Sequence, residues 1–234
     1  MKRNWPLLSA FSIAYAFFIT APSVFHQTFP LRTDLEWGDV LDIATPFVVL
    51  GFVWLLIHRT IGMSDNLLAL PLLLLAIVWA QGQGMHLASN SIGHQVPAGA
   101  SGALPDLIHF YDERLSHYVW YLGVAILPVY FLVLMWRDKA LVSRDSILAV
   151  LPAALLFGLV LGISSIEAAV VPLILPAFAF TALLAAYLYR STPRLRGVEL
   201  FAFTGVSILV AVGVLLGWGA YHGGWPEPSE LGLI

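Results

Sequence analysis

Residues 86–117, HLASNSIGHQVPAGASGALPDLIHFYDERLSH, hold four of the chain's seven histidines together with Asp106, Asp112 and Glu113. Imidazoles and carboxylates bind protons and divalent metals. Here they sit in a chain whose residues are 59% hydrophobic and only 11% charged. Two spacings carry chemistry. His86 and Asn90 are one helical turn apart on the same face, with Gln83 at i−3. His109, Glu113 and His117 follow at i, i+4 and i+8, a gently drifting stripe on one side of a helix. Two imidazoles and a carboxylate converging from adjacent helices suit zinc or iron. A carboxylate one turn from a histidine supplies a further ligand, or a general base beside a metal-bound water. The expected metal ligands are His86, His109, His117 and His222. The expected catalytic or positioning groups are Glu113, Asp42 and Asn90.

The elements that position these residues follow from the apolar blocks. A soluble domain carries about 25% charged residues; this chain has less than half that, and its mean hydropathy is +0.86. Apolar spans of about 20 residues cross a bilayer as helices, because each backbone N–H and C=O is then satisfied internally. Residues 1–234 are expected to form one all-α polytopic membrane domain with seven transmembrane helices. The spans fall at about Trp5–Phe25, Gly38–Ile57, Leu67–Asn90, Leu107–Trp136, Ser146–Ser164, Ala168–Tyr189 and Val198–Tyr221. Pro22 interrupts the region where a signal-peptide cleavage site would follow the first segment, which is therefore kept as a span.

Seven spans put the termini on opposite sides. With the N-terminus cytoplasmic, that side holds Lys2, Arg3, Arg59, Arg137, Lys139, Arg144, Arg190, Arg194 and Arg196, against Arg32 and Arg114 outside. Nine of 11 basic residues inside obeys the positive-inside rule and sends the C-terminus to the exterior. The expected location is a prokaryotic cytoplasmic (inner) membrane. Six histidines and most acids, Asp34 among them, then gather at the outer face, while Asp65, Asp138, Asp145 and Glu199 lie inside. No basic patch with interleaved aromatics is present, which argues against nucleic acid as a partner. The expected partner is membrane lipid. The absence of cysteine excludes thiolate ligands, disulfides and a cysteine nucleophile.

Depth brings the histidines together. Counted from Leu67, His86 lies after about 28 Å of helix rise, near the outer boundary of the apolar layer. The apolar run from Tyr118 to Trp136 places His117 at the same boundary. The two spans are antiparallel neighbours, so His86 and His117 are expected at similar depth. Asp39 and Asp42 open the second span; helix-dipole capping accounts for Asp39, whereas Asp42 is followed by apolar residues and lies deeper. His222 follows the last span within a cluster of Trp218, Tyr221 and Trp225. It either completes a coordination shell or belongs to an aromatic belt.

This plan resembles the seven-span metal-dependent hydrolases that include the alkaline ceramidases and the adiponectin-receptor group, in span count and in a histidine and acid site at one end of the bundle. The resemblance implies metal-assisted hydrolysis. That family's Ser-x3-His on an early span and His-x3-His on the last are absent; His86-x3-Asn90, Glu113-x3-His117 and a lone His222 stand nearest to them. No residue role is carried over. The leading expectation is an integral-membrane enzyme, a metal-dependent hydrolase acting on a lipid-like substrate at the outer face. The alternatives are a proton- or cation-coupled transporter, a haem or electron-transfer protein, and a subunit of a larger membrane complex.

Overall fold

The structure is a computed structural model that describes residues 4–61, 66–97, 99–137 and 147–233, without side chains at 33–34, 60–61 and 66–69. Lys2, Arg3, Asp65, Asp138, Lys139, Arg144, Asp145, the side chain of Asp34 and the start of the fifth expected span at Ser146 lie outside the described residues.

The chain forms helices α1 (Trp5–Thr20), α2 (Trp37–Ile61), α3 (Asn66–Gly93), α4 (Ala103–His109), α5 (His117–Arg137), α6 (Ile147–Glu167), α7 (Val171–Ser191) and α8 (Glu199–His222). A π-helical segment, Phe110–Ser116, joins α4 to α5 in one continuous rod, and a 3-10 turn, Pro193–Gly197, precedes α8. The connection from α1 to α2 is a small antiparallel hairpin of β1 (Thr28–Phe29) and β2 (Arg32–Glu36). Six of these segments are long and apolar enough to cross a membrane: Trp37–Arg59, Leu70–Gly93, Ala103–Arg137, Ile147–Glu167, Val171–Ser191 and Glu199–His222. The protein is thus an all-α, membrane-embedded protein. Its surface says the same, since Phe47, Leu148, Leu183 and Leu209 are large apolar side chains turned outward.

The first helix is shorter than the span expected from composition. It stops at Thr20 rather than Phe25, because Pro22 has no N–H to continue the ladder. It nevertheless packs in the bundle, burying Leu8, Phe11, Ser12 and Tyr15. Phe11, Tyr15, Phe157 and Phe203 meet at ring-centroid distances of 4.6–6.2 Å and fill the interior between α1, α6 and α8.

Close helix contacts depend on glycine. A Cβ at Gly82 would overlap the backbone of Trp120, and one at Gly158 would overlap the carbonyl of Ser207. These absences let α3 approach α5 and α6 approach α8, the usual device of helix pairs in lipid.

Polar contacts define the two ends of the bundle. At one end Asn4 N–H donates to Glu199 Oε2 (2.6 Å), and Arg194 donates to the Trp136 carbonyl. Arg196 donates from Nε to the Tyr189 carbonyl (2.8 Å), capping the last turn of α7. At the opposite end Ser91 donates to Asp39 Oδ1 (2.8 Å), tying the end of α3 to the start of α2. There too Ser229 N–H donates to Glu167 Oε2 (3.1 Å), holding the segment after α8 against the end of α6. Gly223 makes that return possible: its φ of 69° is the left-handed helix cap that glycine adopts without strain.

Candidate functional site

A cavity of about 780 Å³ opens at the end of the bundle that carries Asp39 and Glu167. Its lining includes the apolar side chains Phe18, Ile19, Val160 and Ile163 of α1 and α6, beside Thr20, Ser164 and Glu167 of the same helices. Polar groups of α2, α3 and the π-helical segment line it as well.

Among the polar lining residues is His86. Its Nδ1 lies 2.8 Å from Asp112 Oδ1, although neither atom completes an aligned hydrogen bond. The His86 ring lies 4.9 Å from the ring of His117, at 39°. The sequence-based expectation that α3 and the following helix bring their imidazoles together is thus met in the geometry. His117 Nδ1 stands 3.9 Å from Glu113 Oε2 and is buried without a hydrogen bond among the described residues. Asp42 is buried on α2 within electrostatic reach of His86, Asp39 and Asp112. Thr45, one turn deeper, anchors this stretch of α2 through the Leu41 carbonyl (2.8 Å) and faces the Phe18 carbonyl of α1 (3.1 Å).

The remaining expected residues divide. Asn90 is half-buried in the cavity wall, and His109 is exposed at its rim. His222 is not part of the cavity wall; its ring packs at a tilt against Trp218 (4.5 Å) and edge-on to Tyr221 (4.7 Å). Among the described residues no group of three or more histidines and carboxylates is arranged to hold a metal ion. Asp39 serves structure as well as capping: its carboxylate accepts both Ser91 Oγ–H and the Glu36 N–H (2.8 Å).

Three participants were not singled out from the sequence. Asp112, named from the sequence only as one of the acids of residues 86–117, is the carboxylate that meets His86. The reason is the π-helical segment Phe110–Ser116, whose i→i+5 bonding turns the chain by a different angle per residue than the α-helix assumed from the i, i+4 spacing. Ser116 Oγ–H donating to the Asp112 carbonyl lies within that segment. Trp120, taken as part of an apolar run, lines the cavity with its ring 6.4 Å from His86 and 6.3 Å from His117. Finally, the strap after α8 brings Glu227, Ser229 and Glu230 to the cavity mouth. Trp218 Nε1–H to the Pro226 carbonyl (3.0 Å) and Trp225 Nε1–H to the Leu215 carbonyl (2.8 Å) pin that strap. Burial first, then the nearby carboxylates Glu230, Glu167 and Glu113, push the Glu227 carboxyl above the ordinary glutamate range.

Compared with protein-family profiles, curated proteins and solved structures, the chain finds no match, so its functional reading rests on this geometry. A histidine oriented by a carboxylate, beside a second imidazole and facing an amphipathic cavity, can take and return a proton at a substrate that is part polar and part hydrocarbon.

Proposed function

We propose that this protein is an integral-membrane enzyme that hydrolyses a lipid-like substrate, with His86 as general base and Asp112 as the carboxylate that orients it. The observation that carries the reading is the 2.8 Å approach of Asp112 Oδ1 to Nδ1 of His86, which lines a cavity that also presents the apolar side chains Phe18, Ile19, Val160 and Ile163. A carboxylate at Nδ1 favours the tautomer that leaves Nε2 as the proton acceptor. Asp42, Asn90 and Glu113 shape the field around that base, and membrane lipid is both solvent and substrate source.

We further propose seven membrane crossings, with α1 as the first, the N-terminus cytoplasmic and the cavity facing the exterior or periplasm of an inner membrane. Two features support this. Asn4 at the start of α1 meets Glu199 at the start of α8, while Phe18 and Ile19 at its other end line the cavity, so α1 runs the depth of the bundle. Arg137, Arg190, Arg194 and Arg196 follow the helix ends remote from the cavity, as the positive-inside rule requires.

Zinc or iron remains a second reading, favoured by one observation: His86 Nδ1, Asp112 Oδ1 and His117 Nδ1 are all buried without an aligned hydrogen bond. The two readings separate in one experiment. The solubilised protein is incubated with a membrane lipid extract, and hydrolysis products and bound metal are measured for the wild type, His86→Ala and Asp112→Asn. Products that vanish in both variants with no stoichiometric metal support the metal-free dyad. Products that require a stoichiometric metal lost in His86→Ala support the metal centre. Lipid turnover unchanged by either substitution overturns both.

A further inference from the structure

The end of the bundle remote from the cavity carries arginines tied to main-chain carbonyls. Arg194, in the 3-10 turn before α8, donates to the carbonyl of Trp136, the neighbour of Arg137 at the end of α5. Arg196 donates from Nε to the Tyr189 carbonyl (2.8 Å) and from Nη2 to the Arg190 carbonyl (3.3 Å), both in the last turn of α7. Its guanidinium carbon also lies 5.1 Å from the centre of the Tyr189 ring, a cation–π contact. These bonds draw the chain positions of Arg137, Arg190, Arg194 and Arg196 to one corner of the bundle. Arg137, Arg190 and Arg196 are exposed there. Among the described residues the one acid at this end is Glu199, which is buried and accepts the Asn4 N–H, so no described carboxylate lies open beside the cluster.

The surface leading to the cluster is apolar. Phe180, Leu183, Tyr187 and Arg190 follow at i, i+3, i+7 and i+10, along one face of α7. The first three are 58%, 71% and 65% exposed. On α5, which packs against α7, Ile126, Val133 and Trp136 also turn outward. Both helices belong to segments long and apolar enough to cross a membrane, and each has an arginine in its last turn. Along each surface the order is hydrocarbon, then aromatic ring, then cation. An anionic glycerophospholipid has the complementary order of acyl chain, interfacial backbone and phosphodiester. A free anion matches the cations alone.

We propose that this corner binds the headgroup of an anionic glycerophospholipid, with Arg137 and Arg190 meeting the phosphodiester while Arg194 and Arg196 hold the turn that frames it. The site lies at the opposite end of the bundle from the cavity, and it holds whether or not the cavity is catalytic. A guanidinium suits the role because its planar fork offers two parallel N–H groups to phosphate oxygens. A zwitterionic headgroup carries its own ammonium into the field of the arginines, which cancels much of the attraction. Each basic side chain beside such a headgroup strengthens binding about fivefold, and added salt weakens the contact.

The test uses the full chain in an uncharged detergent, titrated with dioleoyl phosphatidylglycerol, dioleoyl phosphatidylcholine or inorganic phosphate. Native mass spectrometry counts retained lipid, and the unfolding temperature reads stabilisation. The expected result is retention of phosphatidylglycerol with a raised unfolding temperature, and neither effect from phosphatidylcholine or phosphate at the same concentration. The variant carrying both Arg137→Gln and Arg190→Gln removes two cations whose side chains make none of the bonds above. It should bind phosphatidylglycerol about 25-fold more weakly. If it does not fold, Arg190→Gln alone should show about a fivefold loss. Arg32→Gln, on the exposed hairpin at the other end, is the control for net charge and should bind as the wild type does. Equal retention of the two lipids, or a loss as large in Arg32→Gln as in the arginine-corner variants, overturns the site. Stabilisation by inorganic phosphate that matches the lipid overturns the lipid as occupant and makes the corner a site for free anions.

Discussion

His86 Nδ1 and Asp112 Oδ1 approach to 2.8 Å across the contact between α3 and the π-helical segment that precedes α5. A carboxylate in that position favours the imidazole tautomer that carries its proton on Nδ1. Asp112→Asn keeps the size of the side chain and removes the charge, so turnover should fall by about 10²-fold or more, with the helical content and unfolding temperature of the protein little changed. Asp106→Asn, on an exposed position of α4, serves as the control and should leave turnover intact. Steady-state kinetics on the two variants decide the matter.

The α3–α5 contact is set by Gly82, whose missing side chain faces the backbone of Trp120. Gly82→Ala should force the helices apart and cost roughly 1–3 kcal/mol by overpacking. Gly84→Ala, two residues on, meets nothing within 4 Å, and alanine is the better helix former there. Thermal unfolding in detergent should therefore drop for Gly82→Ala and hold or rise for Gly84→Ala. Because Trp120 moves with the helix, Gly82→Ala should also lose turnover.

The strap after α8 should respond to pH through Glu227. Its carboxyl is held above the ordinary glutamate range by burial and by Glu230, Glu167 and Glu113, so the docked strap binds a proton more tightly than a released one. Docking is then firmest below the ordinary glutamate range and weakens as pH rises through the raised value. Hydrogen exchange over residues 223–233 should accelerate across that interval in the wild type. Glu227→Gln, which cannot ionise, should flatten the dependence; an unchanged profile would remove Glu227 from the explanation.

A chain without cysteine makes the topology readable by single introduced thiols. Ser101 precedes α4 and Ser191 ends α7, and both are exposed. Ser101→Cys should react with a membrane-impermeant maleimide in intact cells, and Ser191→Cys only after the membrane is opened. The reverse pattern would invert the proposed orientation, and equal labelling of both before opening would remove the crossing that separates them.

The membrane class was legible in the sequence because long apolar runs leave few other ways to satisfy the backbone. The meeting of His86 with His117 was legible too, since helix rise sets depth and a short loop makes the two helices antiparallel neighbours. Asp112 was harder to find. An i, i+4 spacing between Glu113 and His117 predicts a stripe on an α-helix, but nothing in FYDERLS announces a π-helical turn, which tertiary packing selects. Trp120 was hidden for a different reason. An indole in an apolar run reads as packing, and its unpartnered N–H becomes visible only once its neighbours are placed. His222 was ambiguous because coordination and aromatic stacking use the same ring, and position alone could not separate them.

The knot of Phe11, Tyr15, Phe157 and Phe203 beneath the cavity has a consequence for traffic. The four rings fill the interior between α1, α6 and α8 and are not among the residues that line the cavity, so on the proposed hydrolase reading substrate and product would share the cavity's mouth. On that reading, spent product and fresh substrate would queue at one doorway. Rising product should slow the reaction as a competitive inhibitor, and turnover should follow the rate at which the surrounding lipid dilutes the product away.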